Sequence, residues 1–197
     1  MKKREFLKFG LLSIGAMTVS PRLGALEYYP NNSDKKWAIL YGTWCGSSRD
    51  ATVWISEGMD GIANVFDVRE DPDLSEYDHI VVGGSIRGGK VSDLLQQYLE
   101  KNREVLKDKI RGLFAVCGNM MRPVGPEQTT ALIGNHLAIL CGVSNVVPSK
   151  VFLGRITYGL MDEESRKMLQ GFNMPEYDNL KREDCLAFGK DILIATT

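Results

Sequence analysis

Short apolar runs alternate along this chain with longer segments whose apolar positions recur at helical spacing. The first run, residues 37–42, is apolar from Trp37 to Tyr41 without interruption, as a strand buried on both faces requires. A helix over 47–59 follows, with Ala51, Val53, Trp54, Ile55 and Met59 on its apolar face and Gly58 and Gly61 marking its end. Residues 64–69 alternate as a short strand, and 71–77 are a polar loop. Ile80, Val81 and Val82 form the centre of a buried strand over 79–83. Leu94, Leu95, Tyr98, Leu99 and Val105 define a helix over 91–105. A strand over 113–117, a helix over 127–140, a strand over 150–158, a helical segment over 162–169 and a last helix over 180–194 complete the series. Five alternations of strand and helix predict a three-layer, doubly wound α/β fold, a parallel sheet covered by helices on both faces.

In such sheets a ligand lies beyond the carboxyl ends of the strands, where the strand order reverses. Three of the predicted strand ends, 42–48, 83–90 and 117–122, carry small or polar residues and form a crevice there. The first of them, Thr43-Trp44-Cys45-Gly46-Ser47-Ser48, leads directly into a helix. The free N–H groups of a first helical turn converge at such a point, and the helix dipole favours negative charge. A phosphate-bearing ligand is the expectation, with the other two loops holding a flat group.

Composition changes this picture mainly at the amino end. The chain has 197 residues, enough for one domain with a sizeable core. Its net charge of −1 hides a division. Residues 1–26 carry Lys2, Lys3, Arg4, Lys8 and Arg22 against Glu5, a balance of +4, which leaves −5 on the remainder. A mildly acidic body speaks against nucleic-acid binding. Residues 1–26 read as an export signal: a basic start, an apolar stretch over 9–19 too short to cross a bilayer, then Pro21 and Arg22. Lys3-Arg4-Glu5-Phe6-Leu7-Lys8 resembles the twin-arginine signal with lysine at its first position, implying a destination in the periplasm or at the outer face of the cell membrane. A membrane-touching arm is the alternative, with a cytoplasmic protein behind it. Residues 27–35 form a linker rich in turn formers, and 36–197 form the domain.

Cys45, Cys117, Cys141 and Cys185 lack metal-ligand spacing and are expected as free thiols. His79 and His136 are too few for a histidine-rich metal centre. Cys45 also lies near a helix start, where a thiol becomes nucleophilic. However, Arg49 follows it by four residues and Ala51 stands where a Cys-x5-Arg phosphatase loop needs arginine.

The residues resemble the flavodoxin family. Thr43-Trp44-Cys45-Gly46-Ser47-Ser48 is similar to its phosphate loop, Thr/Ser-x-Thr-Gly-x-Thr. The resemblance is strongest to the flavodoxin-domain group that includes menaquinone-dependent protoporphyrinogen oxidase. That group has Thr-x-x-Gly-x-Thr-Arg and, later, Tyr-Asp-x-Val-Val-x-Gly-x-Ser-Ile-Arg. Here these read Thr43 to Arg49 and Tyr77-Asp78-His79-Ile80-Val81-Val82-Gly83-Gly84-Ser85-Ile86-Arg87. Val151 to Tyr158 resembles the family's fifth strand.

The resemblance implies the strand order 2-1-3-4-5 and FMN as cofactor. Thr43, Gly46, Ser47 and Ser48 would hold the phosphate. Ser85, Ile86, Arg87 and Gly88 would lie along the flavin ring, with Gly118 and Asn119 on its other side. Cys45 replaces the usual loop threonine, and the second and third loops offer no aromatic residue, so Trp44 is the candidate cover for a flavin edge or else a surface anchor. Arg87 is read either beside the flavin or as a solvated loop charge. Met120 and Met121, next to Arg122, suit pliable packing or a partner surface. The implied activity is transfer of electrons or hydride to a quinone, a redox protein or a small acceptor. Two alternatives stand beside it: a non-enzymatic binding module that has lost flavin, and a protoporphyrinogen dehydrogenase.

Overall fold

Alternation of side chains builds two cores on one sheet. In β1 (Trp37–Gly42) every residue is buried. Ala38 and Leu40 face one core while Trp37, Ile39 and Tyr41 face the other. The computed structural model describes residues 31–118, 124–143 and 145–196. The expected export signal, residues 27–30 of the linker, Asn119, Met120, Met121 and Arg122 lie outside the described residues.

β1 pairs in parallel with β2 (Ala63–Asp67) on one side and with β3 (His79–Ile86) on the other. β4 (Ile110–Cys117) and β5 (Ser149–Leu153) extend the sheet in parallel. The order is β2-β1-β3-β4-β5, with the reversal at β1 and β3, as expected. Helices α1 (Ser47–Gly58) and α5 (Arg182–Thr196) cover one face, where Ala51, Ile55 and Met59 meet Phe114, Phe152, Phe188 and Ile192. Helix α2 (Asp93–Leu106) covers the other, with Leu95, Tyr98 and Leu99 against Ile80 and Val82. Beside it lies α3, an α-helical turn at Pro126–Thr129, a π-helical stretch at Thr130–Leu137 and an α-helical end at Ala138–Cys141.

Several boundaries differ from the sequence expectation for physical reasons. Helix α2 starts at Asp93 because the Ser92 side chain accepts from Leu95 N–H at 3.4 Å and caps it. The second strand stops at Asp67, whose carboxylate accepts from Arg69 N–H at 3.0 Å and turns the chain into a 3-10 turn at Val68–Glu70. Strand β3 runs on to Ile86, because Gly83 and Gly84 are ladder residues paired with Phe114 and Ala115 rather than loop glycines. A side chain at Gly83 would meet the Phe114 ring at 2.2 Å. On α1 the buried stripe includes Thr52 and Ser56, which an apolar pattern does not mark. Thr52 donates to Ser48 C=O at 2.6 Å and Ser56 to Ala63 C=O at 2.7 Å.

The largest correction concerns residues 150–158. β5 ends at Leu153, and Arg155–Ile156 instead forms β6, antiparallel to β7 (Tyr177–Asp178). Between β6 and β7 lie a 3-10 turn at Tyr158–Leu160 and helix α4 (Glu163–Gly171). This excursion leaves the sheet at the carboxyl end of β5 and folds over the neighbouring strand ends.

Candidate functional site

Helix α1 begins beyond the end of β1. Thr43 Oγ1 accepts from Gly46 N–H at 3.0 Å, which closes the intervening loop. Gly46 caps the helix in the left-handed region, φ 83°, with no side-chain cap. The first-turn N–H groups therefore start open, the arrangement that binds anions. Ser47 and Ser48 are buried, and their hydroxyls tie the loop to β6 and to β3 respectively. Ser48 Oγ lies 2.6 Å from Ser85 Oγ on β3. Ser47 Oγ accepts from Arg155 N–H at 3.3 Å, and Cys45 Sγ donates to Arg155 C=O at 3.5 Å.

A cavity of about 160 Å³ opens beside this loop, over the ends of β3, β4 and β5. It gathers seven of the expected residues: Trp44, Cys45, Ser47, Ser85, Ile86, Arg87 and Gly118. Thr43, Gly46 and Ser48 shape the loop without lining the cavity. Gly88 sits with Gly89 in the turn between Arg87 and Lys90, also off the wall. His136 accepts from Val91 N–H at 3.1 Å and His79 packs on Trp37, so neither histidine reaches the cavity. The four cysteines are buried and free, Cys45 and Cys117 on the cavity wall.

Val116 and Cys117 at the end of β4 add to the wall, and the rest of it comes from residues that sequence reasoning missed in the excursion after β5. Met161, Ser165, Met168 and Leu169 face the cavity together. Their spacing is helical, and this was the signal available in the sequence. Arg87 Nη1 donates to Ser165 Oγ at 2.8 Å, and Ser165 Oγ donates to Asp162 Oδ2 at 2.6 Å. The hydroxyl and N–H of Ser165, and more weakly the Arg87 charge, hold the Asp162 carboxyl below its ordinary range. Arg87 is thus anchored across the cavity mouth rather than simply solvated. Tyr177 Oη donates to Gly118 C=O at 2.7 Å and holds that carbonyl just beyond the end of β4. Its phenol is pushed upward by burial first and by Cys117 and Cys45 next.

Arg155 completes the wall. Its side chain is 17% exposed, and the guanidinium pairs with Asp50 of α1 and reaches Asp178 at 3.5 Å. Its Nε is buried without a hydrogen-bond partner. Together these groups offer open N–H donors and a guanidinium for an anion, beside apolar side chains suited to a flat group. Among the described residues no cluster of His, Cys, Asp and Glu could hold a metal ion.

A parallel sheet of order 2-1-3-4-5 with a glycine-capped, open helix start after its first strand defines the flavodoxin class of α/β proteins. The chain belongs to the family described as "Flavodoxin domain", whose model matches residues 38–180. No curated protein matches the sequence. Solved structures with the same fold include oxidised flavodoxin 1 from Bacillus cereus, 16% identical with a TM-score of 0.52, covering 81% of this chain and 97% of that one. A flavodoxin from the domain Archaea is 16% identical with a TM-score of 0.50, covering 81% and 99%. The Flv1 flavodiiron core from Synechocystis is 12% identical with a TM-score of 0.50, covering 82% of this chain and 36% of that chain.

Proposed function

We propose that the protein binds FMN in this cavity and transfers electrons or hydride to a quinone, a redox protein or a small acceptor. The observation that carries the reading is the glycine-capped, open start of α1 at the edge of a cavity over β3, β4 and β5, in a chain of the flavodoxin-domain family. The donor set suits FMN: the N–H groups of the first turn for its phosphate, Arg155 Nε as a buried donor in need of an acceptor, and Ile86, Met161 and Leu169 for its ring. FMN supplies the redox chemistry when bound. The chain binds and orients. The open N–H groups of Ser47, Ser48 and Arg49 would hold the phosphate end, Ser85 steadies the loop through Ser48, and the excursion would exclude water. No side chain need act as a nucleophile.

A second reading, a binding module without flavin, is favoured by one observation. The Ser47 and Ser48 hydroxyls that the resemblance assigns to phosphate are engaged within the protein. Porphyrin dehydrogenation draws support only from sequence motifs, Thr43 to Arg49, Tyr77 to Arg87 and Val151 to Tyr158. We also propose export directed by residues 1–26, which amino-terminal sequencing of the protein recovered from cells tests. To separate the main readings, the full chain is incubated with FMN, freed of excess and scanned in the visible. Flavin absorption with micromolar or tighter binding supports the redox protein. A colourless chain hands the fold to the binding module.

A further inference from the structure

We propose that Arg155 is the cationic anchor for the cofactor phosphate, a role that rests on the FMN reading above. Its own backbone is locked to the phosphate loop from both sides: its N–H donates to Ser47 Oγ at 3.3 Å and its C=O accepts from Cys45 Sγ at 3.5 Å. The backbone of Arg155 is therefore fixed relative to the open start of α1, and the pair with Asp50 ties its side chain to the same helix.

The guanidinium is divided in its contacts. One terminal nitrogen pairs with Asp50 and the other reaches Asp178 at 3.5 Å, while Nε is buried with no acceptor. A buried, charged N–H without a partner keeps its full desolvation cost. A phosphate oxygen removes that cost and gains a charge-assisted hydrogen bond. Placement points the same way. Asp50 and Asp178 do not line the cavity, whereas Arg155 does. Arg155 thus offsets one of the two carboxylates and stands on the wall beside the open start of α1. The other cation on that wall, Arg87, has Nη1 committed to Ser165.

The discriminating experiment compares FMN with riboflavin, which has the same ring and ribityl chain but no phosphate. Dissociation constants for both are measured by flavin fluorescence on the full chain, its Arg155→Met and Arg155→Lys variants, and Asp50→Asn. Loss of the anchor should weaken FMN about ten- to hundredfold in Arg155→Met, the range of a lost hydrogen bond to a charged group, and riboflavin less than about threefold. Arg155→Lys retains a charge without Nε and should narrow the preference for FMN over riboflavin. Should Arg155→Met fail to fold, this second variant carries the test. Asp50→Asn leaves the guanidinium in place and should bind FMN at least as tightly as wild type.

Equal losses for FMN and riboflavin, or parallel weakening by Asp50→Asn, would make Arg155 a structural clamp and overturn the proposal. Unchanged FMN binding in both Arg155 variants would assign Nε to a water and overturn it as well. A wild-type chain that binds neither flavin would instead sink the FMN reading on which the role depends.

Discussion

Replacing Gly189 with alanine sets two known effects against each other. Alanine favours a helix over glycine by about 0.5–1 kcal/mol, so propensity alone predicts stabilisation. But Gly189 lies where α5 crosses α1, and a Cβ there would stand 2.3 Å from Ile55 C=O and 2.9 Å from the Gly58 carbonyl carbon. Both are backbone atoms that no rotamer change can move. The helices must separate by at least 0.7 Å to bring the first contact to 3.0 Å. Forced overpacking of this kind costs about 1–3 kcal/mol, and an unyielding backbone contact belongs at the upper end. The net expectation is a loss of about 2 kcal/mol. Gly134, also inside a helix, is the control, because a Cβ there meets nothing within 4 Å. Gly134→Ala should gain about 0.5–1 kcal/mol. Urea unfolding monitored by circular dichroism measures both, with the midpoint read at unchanged slope. A Gly189→Ala protein as stable as wild type would refute the close crossing of α1 and α5, and with it the fixed position of the α1 start.

Asp67 should contribute to acid sensitivity. Burial pushes its carboxyl up, but hydrogen bonds from the Arg69 side chain and N–H outweigh burial and hold it below the ordinary carboxylate range. Its stabilisation is therefore present above the unfolded carboxylate value and is lost as pH falls through the lower folded value. Asp67→Asn should flatten the decline of stability below about pH 4, and an unchanged acid limb in pH-dependent denaturation would contradict this. Arg87→Ala should release the tie to Ser165, seen as faster proteolysis within α4 and a shifted flavin potential. Wild-type behaviour in both would return Arg87 to the solvent. Ser85→Ala strips the Ser48 hydroxyl of its partner in a fully buried position and should cost about 1–3 kcal/mol, read by thermal unfolding. A loss below 0.5 kcal/mol, on the order of a neutral surface change, would argue against that contact.

What was legible in the sequence was local. β1 and the loop after it could be read because an uninterrupted apolar run, a stretch of small residues and a helix start adjoin one another. The strand order followed from the resemblance rather than from periodicity. β3 was cut short because glycine usually marks a turn, whereas Gly83 is glycine to leave room for Phe114 of a strand distant in sequence. Arg155–Ile156 is extended, as read, but its partner is β7 rather than the main sheet, and local pattern does not carry that choice. Arg155 and Tyr177 were missed for the same reason. Their partners, Asp50 and Gly118, lie 105 and 59 residues away, and either residue alone reads as an ordinary surface side chain.

Mapping FMN by amide chemical shifts on the isotope-labelled chain tests the central claim most directly. Binding in the cavity predicts the largest shifts at Gly46, Ser47, Ser48 and Arg49, together with Ser85, Ile86 and Arg87. Shifts concentrated elsewhere, for example at the cleft beside β5 lined by Lys150 and Lys181, would contradict the account, as would a spectrum that FMN leaves unchanged.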